Sequence, residues 1–422
     1  MTTGTRILVL STLFILATSL VGNAAAMSIG IDWKQTPYLP ESVFSGVTMT
    51  PDASMVSAGG SQILVRNWNG SMRWGGQPGF ITSMSSEGDW VVTSDGITAT
   101  LYNRSGQEMW SRSMGGAVRA VAVAPKAAFV VTTDEKGNWI TWNRNGELLH
   151  RNKTEVAKRL AIAPAGNLIV AATENGLRYY SSTLTPLWTD PREGSLDEYI
   201  IISTDGSTIL TYGGRRLSSH TPEGELNWQV DVSTAAINDV ACSQDGSFIV
   251  VGSQDNAVRG LDRYGKIHWT FKTAQWPNAV GTSANGVVVA AGVNDGAVII
   301  LDHHGKEQTK KQFDLRIQPR TLAMSRDGTK VVVADQRYLY GLSLHDDSAS
   351  ETPDETIFVA APLNPVPKTT EPTTLPTTVI PEVTMPEEAR PTPTTTKASP
   401  SGAWALLPAA TGALWLAMRG RN

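Results

Sequence analysis

The sequence contains one cysteine, Cys242, among 422 residues. A single cysteine excludes an intramolecular disulfide and a structural zinc site built on several thiolates. The chain also lacks an excess of basic residues, because 35 lysines and arginines stand against 39 acidic residues and the net charge is −4. Without a basic stripe to release counterions from phosphates, nucleic acid is not expected as a partner.

Several signatures of catalysis are also missing. The sequence contains neither a Gly-x-Ser-x-Gly motif nor a P-loop. His303 and His304 are adjacent in a predicted hairpin, where neighbouring side chains point apart, and this disfavours shared coordination of one metal. The acidic residues of the turns lack the spacing of a calcium loop. We therefore predict no catalytic residue, no metal and no cofactor, and we prefer a non-enzymatic interpretation while the question of activity stays open.

The N-terminus has the layout of a secretory signal. Arg6 provides a positive charge, the run from Ile7 to Val21 is largely apolar, and Ala24-Ala25-Ala26 offers a cleavage site. An uncleaved membrane anchor is the alternative, but the apolar run is short for a membrane span. We predict a signal peptide over residues 1–26 and an exported chain.

The C-terminus combines a stalk with an apolar tail. Residues 351–400 hold 11 Thr and 9 Pro in their last 36 positions, a composition typical of a disordered, extended stalk. Residues 401–422 contain the apolar run Ala403–Met418, which Arg419 and Arg421 follow. This layout resembles the C-terminal surface-sorting signals of bacterial and archaeal cell-surface proteins, which a sortase-like enzyme cleaves; a retained membrane anchor is the alternative. The resemblance implies an extracellular protein at the cell surface that is anchored to the membrane through this tail.

Three sequons agree with export. Asn69, Asn103 and Asn152 each begin an Asn-x-Ser or Asn-x-Thr triplet and are candidate glycosylation sites. Asn69 and Asn103 fall in predicted tight turns, where a glycan would be tolerated.

The region between the two ends, residues 27–350, is a repeat. An apolar run that ends in a turn recurs eight times, and the turn residues are 35, 39, 39, 40, 40, 40 and 42 positions apart. Asp-Gly turns between β-rich runs predict hairpins, and each unit is interpreted as four short strands. No stretch shows sustained helical periodicity. The eight turn residues are Ala53, Gly88, Ala127, Gly166, Gly206, Gly246, Gly286 and Gly328.

A second element recurs out of phase with the first. In four units a tryptophan follows a turn glycine by four positions. His150 and Thr309 occupy the tryptophan position in two other units, and Leu184 replaces the glycine before Trp188. The four pairs are Gly70–Trp74, Gly106–Trp110, Gly224–Trp228 and Gly265–Trp269.

Four antiparallel strands in each repeat of about 40 residues predict an all-β fold, the β-propeller, here with eight four-stranded blades. The eighth unit lacks a fourth strand, while residues 29–35 supply a spare strand that contains Trp33. We therefore predict that this N-terminal strand completes the last blade and closes the ring. A seven-bladed ring, with the first unit outside it, is the alternative.

The Gly-x-x-x-Trp spacing resembles the tryptophan-docking motif of quinoprotein-like (PQQ-like) eight-bladed propellers, and the segment from Leu261 to Trp269 is the nearest match. The Asp-Gly hairpins resemble those of WD40-like repeats, although the Gly-His and Trp-Asp dipeptides are absent. Quinoprotein dehydrogenases of this kind bind pyrroloquinoline quinone and calcium beside adjacent cysteines, so the lone Cys242 makes that cofactor unexpected here. The resemblance implies a docking role between blades for Trp33, Trp74, Trp110, Trp188, Trp228 and Trp269.

The start of each innermost strand is the candidate ligand-binding position, because the central channel of a propeller opens there. Counting eight residues back from each turn residue gives a mostly polar set of positions, and Trp276 lies nearby. The cations among them favour an anionic or polar ligand, and Trp276 would stack on a sugar or a peptide aromatic. Polar strand ends that are merely solvated are the alternative. The candidates are Arg119, Lys158, Glu198, Asn238, Asn278, Arg320 and Trp276.

The layout of export signal, repeat ring, stalk and anchor favours one hypothesis on function. The protein would be an exported, cell-surface-tethered β-propeller that acts as a non-catalytic binding or scaffold module for protein or glycan partners. The alternative is an extracellular propeller enzyme, either a quinoprotein-like oxidoreductase or a glycan-acting enzyme, with its site at the channel mouth.

Overall fold

The computed structural model describes residues 27–37, 43–191 and 199–346. Within these ranges the chain forms 31 β-strands and a single 3-10 turn, Pro125–Ala127, and no helix there is long and apolar enough to cross a membrane. The strands form eight antiparallel sheets, which confirms the eight-bladed β-propeller and makes the seven-bladed alternative wrong. The predicted signal peptide, stalk and C-terminal tail lie outside the described residues.

The first blade is the least regular. The chain begins with β1 (Met27–Gln35), which belongs to the last blade, and the first blade follows as β2 (Gly46–Met49), β3 (Met55–Asn67) and β4 (Met72–Gly79). β3 takes the place of the second and third strands, since its first part pairs with β2 and its second part with β4. This sheet therefore has three strands where four were predicted, and it belongs to the unit with the shortest repeat spacing.

The next three blades have four strands each, which run from the channel to the outside in chain order. They are β5 (Ile81–Met84), β6 (Trp90–Ser94), β7 (Thr98–Asn103) and β8 (Glu108–Ser113) in blade 2; β9 (Val118–Val123), β10 (Val130–Asp134), β11 (Asn138–Trp142) and β12 (Leu148–Lys153) in blade 3; and β13 (Ala157–Ile162), β14 (Leu168–Thr173), β15 (Gly176–Ser181) and β16 (Pro186–Pro191) in blade 4.

The last four blades repeat the same order, and only blade 8 takes its outermost strand, β1, from the N-terminus. They are β17 (Tyr199–Ile202), β18 (Ile209–Gly213), β19 (Arg216–His220) and β20 (Leu226–Asp231) in blade 5; β21 (Ile237–Cys242), β22 (Phe248–Ser253), β23 (Ala257–Asp262) and β24 (Ile267–Lys272) in blade 6; β25 (Pro277–Thr282), β26 (Val288–Val293), β27 (Ala297–Asp302) and β28 (Glu307–Gln312) in blade 7; and β29 (Ile317–Met324), β30 (Lys330–Asp335) and β31 (Leu339–Asp346) in blade 8.

The hydrophobic core lies between the blades. All six residues of β22 are buried, because a middle strand is covered by a neighbouring blade on each of its two faces. In the outermost strand β24, by contrast, every residue is at least partly exposed. One buried cluster joins Leu210 and Tyr212 of blade 5 to Val240 and Val251 of blade 6, so each cluster stabilises the contact between two blades.

Six tryptophans of the outermost strands lie on a glycine in the next blade, in the turn between its third and fourth strands. Trp269 lies so close to Gly305 that a Cβ added there would be 2.5 Å from the indole, and its N–H donates to the carbonyl oxygen of His303 at 2.8 Å. Trp228 makes the equivalent bond to Arg263 at 2.6 Å. The six pairs are Trp33–Gly70, Trp74–Gly106, Trp110–Gly146, Trp188–Gly224, Trp228–Gly265 and Trp269–Gly305.

The two outermost strands without a tryptophan face a changed partner. Blade 3 has His150 at this position, and the next blade has Leu184 in place of the glycine. Leu184 is 3% exposed in a left-handed conformation, φ 58°, and belongs to a cluster with Phe129 and Trp139. Blade 7 has Thr309, and the blade after it is completed by β1, so no turn joins its last two strands and no glycine is present to receive an indole.

The ring is closed in two ways. β1 pairs antiparallel with β31 over its whole length, from Met27 opposite Asp346 to Gln35 opposite Leu339, which confirms the predicted closure by the N-terminal strand. Backbone hydrogen bonds also join the turns between first and second strands. The N–H groups of Gln244, Ala284 and Arg326 donate to Ala284, Arg326 and Pro51 in the next blade, at 2.8, 2.9 and 2.8 Å. Blades 1, 3 and 4 have proline at this position and lack the N–H that would continue the series.

We expect Gly146→Ala to destabilise the propeller more than Gly115→Ala. The two glycines have nearly the same left-handed conformation, φ 76° and 74°, so either alanine costs about 1–2 kcal/mol in backbone strain. Only at Gly146 would the new Cβ meet an indole, 2.6 Å from Cγ of Trp110, and this overpacking adds about 1–3 kcal/mol. Urea unfolding of both variants measures the difference, and equal losses would show that Trp110 does not restrict this turn.

A double-mutant cycle tests whether His150 and Leu184 replace a tryptophan–glycine pair. His150→Trp alone should destabilise the protein because Leu184 occupies the place of the turn glycine, and Leu184→Gly alone should destabilise it because a buried side chain is lost. Together the two changes recreate the pair found at the six other interfaces. We expect a coupling free energy of about 0.5–3 kcal/mol in favour of the double variant, and strictly additive losses would contradict the exchange.

Candidate functional site at the channel mouth

Four of the candidate residues lie in β-bulges at equivalent positions of four different blades. In blades 3, 4, 6 and 7 the pairing of the first and second strands skips one residue, which is Arg119, Lys158, Asn238 or Asn278. A bulge turns its side chain out of the regular ladder, here towards the channel rim. We call this side of the ring the upper face; it holds the connections between blades and the turns between second and third strands. The lower face holds the other two kinds of turn.

Asn238 and Asn278 tie neighbouring blades together. The Nδ2 of Asn238 donates to the carbonyl oxygen of Pro277 at 3.0 Å, and the Nδ2 of Asn278 donates to the carbonyl oxygen of Ile317 at 2.8 Å, each in the next blade. Gln254 donates to Oδ1 of Asn238 at 3.0 Å. Both carboxamides are thus engaged by the protein itself, which gives these two candidates a structural role at the mouth.

The other rim residues do not converge on one point. Arg119 is exposed, and its guanidinium lies 3.9 Å from the carboxylate of Glu135 in the same blade. Lys158 is half-buried in blade 4, whereas Trp276 is 46% exposed on the connection between blades 6 and 7. Glu198 lies outside the described residues. Arg119 and Trp276 are therefore separate features of the upper face.

Arg320 reaches across the channel mouth. In blade 8 four residues lie between the paired positions Ile317 and Leu322, whereas in blade 6 two residues lie between the equivalent positions Ile237 and Val240. The first strand of blade 8 therefore contains a two-residue insertion near its start. Arg320 adopts a left-handed conformation within it, φ 55°. Its guanidinium lies 4.2 Å from the ring centroid of Tyr199 in blade 5 and donates to the carbonyl oxygen of Asn238 in blade 6 at 3.4 Å. One side chain of blade 8 thereby contacts blades 5 and 6, neither of which is adjacent to blade 8 in the ring.

Tyr199 lies in a stack of rings and cations. Its ring is nearly parallel to that of Tyr212, with the centroids 5.1 Å apart. Besides Arg320, Arg159 of blade 4 places its guanidinium 4.8 Å from the Tyr199 centroid. Such cation–π contacts are worth about 0.5–2 kcal/mol each, so they help to hold both arginines over the mouth, where neither has a carboxylate partner among the described residues.

Asp239 is the buried acid of this site. It is 8% exposed, and its carboxylate accepts hydrogen bonds from the backbone N–H of Val280 at 2.9 Å and from the Tyr212 hydroxyl at 3.3 Å. Burial raises the pKa of Asp239 to about 7, although the Val280 bond and the charge of Arg320 oppose the rise. The pKa of Tyr212 is raised well above its usual value by burial and by Asp239. Asp239 therefore titrates near neutral pH.

A cavity of about 280 Å³ lies in the channel below Arg320. Among the described residues that line it, most are aliphatic, and the charged ones are Asp239 and Arg320. Cys242 also lines it, but burial raises the pKa of this thiol to about 12, so the sulfur stays protonated and unreactive. Among the described residues, no group of three or more His, Cys, Asp and Glu side chains is placed to hold a metal ion. The aliphatic residues of the wall are Ile201, Ile202, Val240, Ala241, Val280, Leu322, Ala323 and Met324.

Counting back from the turns did not identify Tyr199, Tyr212 or Arg159. The repeat spacing carried a signal for this cluster, because the last interval is 42 residues where the three before it are 40. Those two extra residues are the insertion that brings Arg320 over Tyr199. A departure from the period was thus more informative than the period itself.

The three sequons have different surroundings. Asn69 is exposed in a turn of the lower face, where its Oδ1 accepts from the Ser71 hydroxyl at 2.6 Å. Asn103 caps the equivalent turn of blade 2, and its Nδ2 already donates to Gln107 at 3.1 Å. Asn152 is half-buried within β12. Asn69 therefore presents the most accessible amide nitrogen of the three candidates.

We predict that Asp239→Asn removes a pH dependence of stability. Because the native pKa lies above the unfolded value of 3.8, the native state binds more protons between about pH 4 and pH 7, and stability falls as the pH rises through this window. Melting temperatures of the natural protein should decline there, and those of the variant should stay level. Asp245→Asn is the control, since hydrogen bonding lowers the pKa of Asp245 and moves its effect below this window. A variant with an unchanged decline would contradict the buried ionisation.

Comparisons with known proteins agree with the fold. A family model described as outer membrane protein assembly factor BamB matches residues 183–340, which is less than half of the chain and covers blades 5 to 8. The C-terminal WD40 domain of Sif2 and the computationally designed Ika8 protein are similar in structure, each with a TM-score of 0.59 at 15% identity. They align over 75% and 73% of this chain and 98% of their own. No curated protein matches the sequence. The two solved structures show that the chain has the β-propeller fold, and residues 183–340 are in addition similar to the BamB family model.

Proposed function

We propose that the protein is an exported, cell-surface-tethered β-propeller that acts as a non-catalytic binding or scaffold module for protein or glycan partners. In this proposal residues 1–26 are removed as a signal peptide, residues 351–400 form the stalk, and residues 401–422 anchor the chain to the membrane. The propeller, residues 27–350, then lies outside the cell and presents one face to its partner.

The observation that carries the proposal is the position of the two ends of the propeller. β1 begins at Met27 and β31 ends at Asp346, and these two residues are opposite each other in the sheet. Since third strands run from the upper face to the lower face, both ends are at the lower face. The lower face therefore holds both Met27 and Asp346, and the upper face holds neither of these two chain ends.

The composition of the upper face supports a binding role. Phe80 and Ile97 are 60% and 61% exposed in blade 2 and its entry, and Trp276 is 46% exposed between blades 6 and 7. Arg119 and Arg159 are exposed on the same face. Aromatic residues and arginine are enriched at the centres of protein interfaces, where they contribute most of the binding energy.

Two further observations agree with the proposal. The sequons at Asn69 and Asn103 lie in turns of the lower face, so glycans there would leave the upper face uncovered. The family model that matches residues 183–340 bears the name of an outer membrane protein assembly factor, which agrees with a location in a cell envelope.

Photo-crosslinking on intact cells tests the proposal. A photoreactive phenylalanine analogue is placed at Trp276 on the upper face or, as the matched control, at Tyr264, which is 75% exposed in a lower-face turn of blade 6. Position 276 should give discrete higher-mass adducts with surface components, and position 264 should give none. Adducts from 264 alone would contradict the upper face as the binding face.

The tether is tested separately in the same cells. The full chain should remain with the cell envelope and be digested by external protease, whereas a chain ended after residue 350 should appear in the medium. A full chain that resists external protease on intact cells would contradict surface exposure. Release of both forms to the same extent would contradict anchoring through the tail.

A further inference from the structure

Arg320 has more hydrogen-bonding capacity than the protein uses. A guanidinium carries five N–H donors, and one of them, on Nη1, bonds to the carbonyl oxygen of Asn238 at the long distance of 3.4 Å. Among the described residues, no carboxylate oxygen lies within 4.0 Å of its nitrogens. Within this part of the chain the remaining donors therefore have no carboxylate partner and can bind a ligand at the channel mouth.

The backbone keeps this cation at the mouth. The two-residue insertion of β29 and the left-handed φ of 55° at Arg320 are a departure from the other blades, and such strain in a non-glycine residue costs about 1–3 kcal/mol. The ring of Tyr199 covers one side of the guanidinium, 4.2 Å away. The edge of the planar group is left for bidentate hydrogen bonding, which is the geometry that a carboxylate matches.

The cavity below Arg320 defines the rest of the ligand. Its volume of about 280 Å³ suits a group of the size of a leucine or phenylalanine side chain with its carboxylate. Ile201, Val240, Val280 and Leu322 provide aliphatic surface on four successive blades. A ligand that is charged at one end and apolar at the other would meet a matching surface at both ends.

We propose that the channel binds a carboxylate attached to a small aliphatic or aromatic group, with the carboxylate on Arg320 and the apolar part in the cavity below. The ligand is either a free organic acid or the C-terminal residue of a partner chain. This site does not depend on the tether, since the described residues that build it belong to blades 5 to 8.

Asp239 makes the binding sensitive to pH. Among the described residues, the groups that face its carboxyl are the Tyr212 hydroxyl, the backbone N–H groups of Val240 and Val280, and the charge of Arg320. Tyr199 lies next to Tyr212. When Asp239 is ionised, its carboxylate repels the carboxylate of the ligand and offsets part of the attraction of the ligand to the charge of Arg320. When it is protonated that repulsion ends and its O–H becomes a donor. Affinity should therefore rise as the pH falls from about 8 to about 6.

Calorimetric titration of the purified full chain tests the site. The probes are isocaproate, its neutral analogue isocaproamide, and a short peptide that ends in leucine with a free or an amidated C-terminus. We expect the acids to bind at least about tenfold more tightly than the amides, because charge-assisted bidentate bonds contribute most of the recognition. Similar affinities for isocaproate and the acid peptide assign the site to free acids, and a much tighter peptide assigns it to a partner's C-terminus.

Matched variants locate the binding. Arg320→Gln should weaken the binding of the acid probe about tenfold or more, whereas Arg316→Gln, which removes an exposed arginine of the same connection outside the cavity, should change it less than about twofold. Asp239→Asn should remove the dependence on pH while the variant keeps the circular dichroism of the natural protein. Equal binding of acid and amide, equal losses for the two arginine variants, or no saturable binding up to about 10 mM with a folded chain would each overturn the proposal.

Discussion

The contact of a tryptophan with a turn glycine of the next blade is the interaction on which the rest of the ring depends. The indole occupies the space that a Cβ would need, so the turn glycine and the aromatic residue specify each other across the interface. The two exceptions follow the same constraint. Leu184 stands in place of the glycine in the blade that follows His150, and Thr309 faces a blade that has no such turn. At six of the eight blade interfaces this contact joins the outermost strand of one blade to the next blade.

The blades differ in the regularity of their repeat spacing and of the hydrogen bonds between their turns. Blades 5 to 7 repeat with a constant 40-residue period, and backbone bonds such as those from Gln244 and Ala284 link their lower turns. Proline at this position in blades 1, 3 and 4 removes the donor, and blade 1 has one strand fewer. The channel cavity is lined by blades 5 to 7 and by blade 8, where Arg320 lies in the two-residue insertion that departs from the period. The exposed residues Phe80 and Ile97 belong to blade 2 and the connection that enters it.

The sequence predicted the fold well because the fold is a periodic property. Turn glycines and tryptophans recur at positions that require them for steric reasons, so the blade number and the closing strand were predictable. The site was less predictable, since it depends on where the chain departs from its period. Counting residues predicted Asn238 and Asn278 at the mouth as ligand-binding candidates, but only the structure shows that they bond to the next blade. Tyr199 contacts Arg320 from three blades away, a proximity that no local pattern encodes.

The split last blade has a consequence for the order in which the chain folds. β1 is the first described strand to be made, yet its partner β31 is separated from it by most of the propeller. Until β31 exists, both edges of β1 lack a partner, and pairing between such distant segments is intrinsically slow because a long loop must close first. Each of blades 1 to 7 is formed from strands that are consecutive in the chain, so its sheet pairs without a distant segment. The pairing of β1 with β31 therefore closes a loop that contains the seven other blades, and it cannot form before β31 has been synthesised.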